Sequence, residues 1–224
     1  MCVIIYKAKG VEPMTNKEIG QAWNHNPDGA GLWHNGKVFK SMDEKAFKER
    51  CKLIKKDDEA VYHFRIATTG KVRKANCHPF NIGTGILFHN GVLPFKPKED
   101  ITDSEYFGRY ILSPALKVWP LGTQEVLDGC RAGFGSSSKL ALIRKGKVYL
   151  SGYFQDHRGL KCSNLLWVPA PKTTAFGKWS CGNYGSLRDR WDSYDGYSNR
   201  VYGYNDETSQ YGYWQDDVFV PYAF

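Results

Sequence analysis

Short apolar, β-rich runs separated by glycine-containing turns constrain this chain most. Val3-Ile4-Ile5-Tyr6 predicts a strand at the very start of the sequence. Asn26-Pro27-Asp28-Gly29 is a turn signal, and Ala30-Gly31-Leu32-Trp33 after it predicts a second strand. His34-Asn35-Gly36-Lys37 fits a hairpin turn into Val38-Phe39-Lys40. Further strands are expected over Ala60 to Ile66 and Gly85 to His89. A hairpin is expected from Lys139–Ile143 to Lys147–Leu150 around Lys145-Gly146, and a last strand over Asn164 to Val168.

Helical signals fall between these runs. Phe47, Cys51 and Ile54 recur at helical spacing between Asp43 and Lys55, with Asp43 placed as a cap. Thr102 and Glu105 form a capping-box pattern that opens a helix over about 103–112, expected to stop before Pro114. A second short helix is expected over 123–131. Strands and helices in this order predict a layered α+β fold with mostly antiparallel sheets.

The 224 residues suit one domain, or one domain plus a tail. The division falls near Ser180, giving a body over 1–179 and a tail over 180–224. The tail holds eight of the 14 tyrosines, much Gly, Asp, Asn and Ser, and few branched aliphatics. It is expected to be flexible or loosely docked. The alternative is that its tyrosines, Trp191 and Trp214 pack onto the body or a partner. Charge divides at the same place: the tail carries −4 and the body +12. A basic body could meet nucleic acid, an anionic substrate or its own acidic tail.

No run of 18 apolar residues exists, so no transmembrane helix is expected. The start of the chain lacks the pattern of a secretory signal, and a cytoplasmic location is expected. The six cysteines, at 2, 51, 77, 130, 162 and 181, contain no Cys-x-x-Cys pair. Neither a zinc ribbon nor a redox motif is supported, no metal or cofactor is expected, and most of these thiols read as buried and free.

Cys2 is different because of its position. Methionine is removed most readily before a small residue, and removal would leave an α-amine beside the thiol. An amine titrating near 8 and a thiol near 8.5 exchange a proton readily at neutral pH. The amine is then a built-in general base for a nucleophilic cysteine. Arg65, near the end of a strand, can grip a carboxylate with two parallel hydrogen bonds. Asn90-Gly91 after an apolar strand can supply oxyanion donors. Asp103 at a helix start can hold an ammonium group. Each residue alone also has a plain structural reading: a buried thiol, a salt bridge, a turn and a cap.

Taken in order, the segments resemble the class II glutamine amidotransferases of the N-terminal nucleophile hydrolase superfamily. The resemblance runs through Met1-Cys2, Asn26-Pro27-Asp28-Gly29-Ala30-Gly31, His63 to Gly70, Asn76-Cys77-His78-Pro79-Phe80, His89-Asn90-Gly91 and Thr102-Asp103-Ser104-Glu105, within about residues 1–150. It implies a four-layer αββα sandwich and a glutaminase that releases ammonia and glutamate. It assigns Cys2 as nucleophile, Arg65 and Thr68 to the substrate α-carboxylate, Asn90 and Gly91 to the oxyanion hole, and Asp103 to the α-ammonium. Where the family often has Arg-Trp-Ala-Thr-His-Gly, this chain has Arg65-Ile66-Ala67-Thr68-Thr69-Gly70. That change bears on specificity for glutamine more than on the nucleophile. Full members of the family append a synthase domain, and the stretch after Leu150 is expected not to supply one.

Three readings follow: a stand-alone glutaminase serving a separate synthase or other protein partner, engaged through the tail; a hydrolase of another γ-glutamyl small molecule; or a non-catalytic module contacting nucleic acid or protein.

Overall fold

The computed structural model describes residues 1–67, 71–97, 101–135 and 137–169, together with the backbone of four strands between 193 and 221. Backbone contacts divide the chain into Met1–Pro171 and Lys172–Phe224.

In the first unit, strands and helices alternate as the turn signals predict. Strands β1 (Val3–Lys7), β2 (Ala30–His34), β3 (Lys37–Ser41) and β4 (Ala60–Phe64) surround helices α1 (Asn16–His25) and α2 (Glu44–Cys51). Then come β5 (Phe80–Asn81), β6 (Ile86–Asn90), α3 (Asp103–Phe107), α4 (Ser113–Val118) and α5 (Thr123–Phe134). Four further strands complete the unit: β7 (Lys139–Arg144), β8 (Lys147–Ser151), β9 (Gln155–His157) and β10 (Leu160–Cys162). One sheet has the order β3-β2-β4-β1-β10-β9 and the other β5-β6-β7-β8. Every pair in both is antiparallel.

Side-chain alternation along the strands separates three apolar clusters. Val3, Ile5, Tyr62 and Phe64 point to one face of the first sheet, where they meet Ile19, Trp23 and Phe47 of α1 and α2. Ile4 and Val61 point to the other face and meet Phe88, Ala141 and Ile143 of the second sheet. Leu87, Leu140 and Leu142 point away from that layer and pack with Phe107, Leu116, Val126 and Leu127 of the later helices. The fold is α+β with two antiparallel sheets, and these clusters are compatible with a helix–sheet–sheet–helix sandwich.

Local chemistry explains the element ends. Asp43 caps α2, its carboxylate accepting the Ala46 N–H at 2.6 Å. Thr15 and Glu18 form a full capping box at α1. Thr102 caps α3 by accepting the Glu105 N–H at 3.1 Å, while the Glu105 carboxylate pairs with Arg109 at 2.7 Å. That helix does not stop before Pro114. Gly108–Leu112 form a π-helical turn, and Pro114 sits in the first turn of α4, where its missing N–H costs little.

Asn164 to Val168 is not a strand. Trp167 is buried against the α1–α2 cluster and Leu165 and Val168 partly so, the Val168 N–H closing a turn onto Leu165. The strand partner of β1 comes earlier, in β10, whose short alternating pattern gave no apolar run to read.

In the second unit, β11 (Ser193–Tyr194), β12 (Arg200–Asn205), β13 (Gln210–Gln215) and β14 (Val218–Pro221) form an antiparallel sheet in that order. Tyr202 is opposite Tyr213 and Tyr204 opposite Tyr211. Aromatic residues favour strands even where branched aliphatics are scarce, which the composition of this segment had obscured. The packing of its tyrosines and of Trp191 and Trp214 lies outside the described residues.

Gly31 marks the tightest backbone approach in the first sheet. A Cβ there would fall on the His78 carbonyl oxygen and 2.7 Å from its carbon. Gly129, in α5, has open space around it. Gly31→Ala is expected to destabilise the protein by about 2 kcal/mol or more through overpacking against backbone. Gly129→Ala is expected to stabilise it by about 0.5–1 kcal/mol by helix propensity. Chemical denaturation of the two variants checks the contrast.

Candidate functional site

Cys2 immediately precedes β1. By alternation it shares the face of Ile4, toward the second sheet rather than toward α1 and α2. Its thiol donates to the Ile66 carbonyl at 3.3 Å, and its sulfur accepts the Ile66 N–H at 3.4 Å. Its own carbonyl accepts from Asn164 Nδ2 at 2.8 Å. Burial pushes the Cys2 thiol pKa up. The Ile66 N–H, the N-terminal ammonium and the Arg65 charge pull it down, but by less.

Arg65 follows β4 and is only 4% exposed. The Asn26–Gly29 turn fixes its backbone: the Asp28 N–H donates to the Arg65 carbonyl at 3.0 Å, and the Arg65 N–H donates to the Gly29 carbonyl at 2.9 Å. The Asp28 carboxylate also accepts the Ala67 N–H at 2.7 Å. Gly29 has a φ of +101°, and a Cβ there would lie 2.6 Å from the Cys77 sulfur. The conformation and the crowding both call for glycine. The motif thus holds the arginine-bearing segment against the first sheet.

Asp103 is the first residue of α3. Its carboxylate accepts the Leu93 N–H at 3.0 Å, the Ser104 N–H at 2.8 Å and the Ser104 hydroxyl at 3.3 Å. His89 Nδ1 lies 2.7 Å from Ser104 Oγ, and His89 Nε2 lies 3.0 Å from Ser138 Oγ. Since the Ser104 hydroxyl donates to Asp103, His89 Nδ1–H donates to Ser104 and Nε2 accepts from Ser138. The network therefore assigns a neutral Nδ1–H tautomer. A continuous line of hydrogen bonds runs from Ser138 through His89 and Ser104 to Asp103.

Cys2, Arg65, Gly91 and Asp103 line one pocket of about 30 Å3, together with Ile66, Asn76, His78, His89, Thr102 and Ser104. Asn90 is not among the residues that line it; it is 1% exposed, with Nδ2 2.8 Å from Ser163 Oγ. Thr68 lies outside the described residues. A wider cleft of about 490 Å3 is lined by Phe95, Lys96, Ile101, Tyr106 and Tyr110, and none of its described lining residues carries a thiol or carboxylate. Among the described residues no group of His, Cys, Asp and Glu is arranged to hold a metal ion. No helix among them is long and apolar enough to cross a membrane.

Three buried histidines stand beside the pocket. The His63 and His78 rings are 4.2 Å apart between centroids, and His63 Nε2 donates to the His89 carbonyl at 3.2 Å. Burial lowers the pKa of all three: His63 to about 3, His89 to about 4, and His78 well below its ordinary value. The His63 and His89 charges lower His78 further, while Asp103 partly offsets the fall at His89. In the sequence, His63 and His89 stand out only as parts of motifs, and His78 only as a neighbour of Cys77, too few ligands for a metal site. Ser163 carries no periodic or motif signal, and the sequence offers Asn164 only as the start of an expected strand.

Neither a protein-family model nor a curated protein matches the sequence. Among solved structures, the chain is similar to glutamine phosphoribosylpyrophosphate amidotransferase from B. subtilis complexed with ADP and GMP. The TM-score is 0.49 and the identity 14%, over 75% of this chain and 42% of that one. The chain therefore spans less than half the length of that protein. At this identity and score, the site's own geometry is what bears on function.

The buried histidines dictate an acid response. Their pKa values are lower in the folded state than the value near 6.5 expected when unfolded. Between about 4 and 6.5 the unfolded chain binds protons that the folded chain does not. Their contribution to stability is therefore complete above pH 6.5 and is lost as pH falls. The limiting slope is about 1.4 kcal/mol per pH unit for each histidine. Urea denaturation at pH 7.5, 5.5 and 4.5 is expected to show steep loss; a flat profile would contradict neutral burial.

Proposed function

We propose that this protein is an N-terminal-cysteine amidohydrolase of the class II glutamine amidotransferase type, with the fold of the N-terminal nucleophile hydrolases. Its proposed reaction is hydrolysis of the γ-amide of glutamine to glutamate and ammonia. The observation that carries the reading is one pocket lined by a thiol, a buried guanidinium and a carboxylate. A free amino acid offers a carboxylate and an ammonium at one end, which Arg65 and Asp103 complement. The amide at its other end would then meet Cys2.

In the proposed chemistry, Met1 is removed and the Cys2 amine accepts the thiol proton, directly or through a water. Sulfur attacks the γ-carbonyl carbon, and Asn90 and Gly91 stabilise the resulting oxyanion. Collapse of the tetrahedral adduct breaks the C–N bond, and the amine returns the proton to the departing ammonia. Water then attacks the γ-glutamyl thioester, releasing glutamate and restoring the thiol.

Ile66 lines the pocket and holds the Cys2 sulfur through its backbone. Its aliphatic side chain favours a second reading of the same chemistry, on a γ-glutamyl amide with a larger leaving amine. Thr68 remains a proposed carboxylate contact, and a synthase or other protein partner remains a proposed ammonia acceptor.

Intact mass is expected to show loss of Met1, and the purified protein is expected to release ammonia from glutamine. Cys2→Ala is expected to abolish turnover. Asn90→Ala is expected to cut kcat by about 100- to 1000-fold, and Asp103→Asn to raise KM. Turnover of larger γ-glutamyl amides without glutamine turnover selects the second reading. Full activity in Cys2→Ala would overturn both, and a retained Met1 with salt-sensitive nucleic-acid binding would instead support a binding module.

A further inference from the structure

We propose that Ser163 is a positioning residue that turns the Asn90 amide so that its N–H groups, rather than its oxygen, are presented as oxyanion donors. The inference rests on the reading of Cys2 as nucleophile and Asn90 as oxyanion donor.

Ser163 directly follows β10 and is 4% exposed. It terminates the β1–β10 ladder in an unusual way. Its backbone N–H donates to the Ile4 carbonyl at 2.8 Å, as a strand residue would. The return bond goes to its side chain instead: the Ile4 N–H donates to Ser163 Oγ at 2.9 Å. The hydroxyl is thereby held two residues from Cys2. From there it reaches the other sheet, where Asn90 ends β6, at 2.8 Å.

The proton count at this hydroxyl allows the amide to face either way, and only the rotated form leaves N–H groups for an oxyanion. The Ile4 N–H can only donate, so Oγ must accept from it. Ser163 has one proton of its own to give. With Asn90 Nδ2 toward Ser163, Oγ accepts twice and Asn90 Oδ1 is buried with no hydrogen-bond partner among the described residues. A developing oxyanion, itself an acceptor, could not partner that carbonyl. Rotating the amide by half a turn places Oδ1 against Ser163. The hydroxyl then accepts from Ile4 and donates to Asn90, and Nδ2 takes the orphaned position. Amide orientation is assigned from such networks rather than from atom positions.

The neighbouring residue acts on the other half of the site. Asn164 Nδ2 donates to the Cys2 carbonyl. Two consecutive side chains thus tie the start of β1 to the end of β6, fixing the nucleophile and the oxyanion donor relative to each other. Substrate-end recognition by Arg65 and Asp103 lies outside this link.

The test is steady-state hydrolysis of glutamine, or of whichever γ-glutamyl amide the wild-type protein turns over. Ser163→Ala is expected to lower kcat by about 10- to 100-fold, the scale of a misplaced catalytic group, with KM unchanged. Ser163→Thr, which keeps the hydroxyl, is expected to restore most of that loss. In an Asn90→Ala background, Ser163→Ala is expected to cost nothing further, since the two changes remove one interaction. If Ser163→Ala does not fold, Ser163→Cys, similar in volume but a weak donor, replaces it with the same expected direction. Unchanged kcat in the folded variant, or losses that multiply independently with Asn90→Ala, would overturn the positioning role. A wild-type protein without Cys2-dependent turnover would instead sink the underlying functional reading.

Discussion

The site depends on the burial of a strand that starts at the third residue of the chain. Chain termini usually fray because their backbone groups have water for partners. Here β1 is paired from both sides, with β4 along its whole length and with β10 along part of it. Its far end is fastened by Lys7, fully buried, whose ammonium donates to the Lys56 and Asp58 carbonyls at 2.6 Å. A strand so held has no freedom to slip register, because a one-residue shift would exchange Val3 and Ile5 for Ile4 between two different cores. The same alternation determines which way Cys2 faces.

A second constraint is the approach of His78 to Gly31. The His78 carbonyl rests on the second strand, and its ring stacks on His63 and meets Phe80 edge-on at 4.6 Å. Polar rings are thereby forced into a layer that is otherwise apolar. They remain there as neutral groups, since an imidazolium at this depth would lack a compensating partner. The Asn26–Gly29 turn, the His63 strand and the His78 segment form one packed unit around Arg65. Three stretches distant in sequence thus converge around the arginine that lines the pocket.

The sheets were legible wherever a strand had enough apolar residues to alternate. β1, β2, β4, β6 and the β7–β8 hairpin all stand where the pattern places them, with Lys145 and Gly146 at positive φ in the hairpin turn. β9 and β10, of three residues each, were invisible because they are too short to show alternation: β10 pairs with β1 and buries only Leu160 and Cys162, and β9 pairs with β10. The helix beyond Pro114 was hidden because a π-helical turn shifts the hydrogen-bond register just before it. At the site, Cys2, Arg65, Gly91 and Asp103 could be named from the resemblance carried by their motifs, and one pocket is lined by all four, whereas Asn90 does not line it and Thr68 lies outside the described residues. What could not be read was the supporting layer of Ser104, Ser138, Ser163 and Asn164, whose meaning exists only in their distances to other side chains.

The protonation state of Cys2 ties the fold to the proposed chemistry. Burial raises its thiol pKa, so at neutral pH the sulfur is protonated and a poor nucleophile. While Met1 is attached, the nitrogen of Cys2 is an amide and has no basic lone pair to offer. Loss of Met1 would change both quantities in the same direction. The ammonium would move one residue closer to the sulfur and strengthen its downward pull, and its neutral form would become the proton acceptor. The hydrogen bonds that hold Cys2 run from its thiol to Ile66 and from Asn164 to its carbonyl, and neither involves Met1. The clamp therefore does not depend on the residue whose removal would activate the thiol.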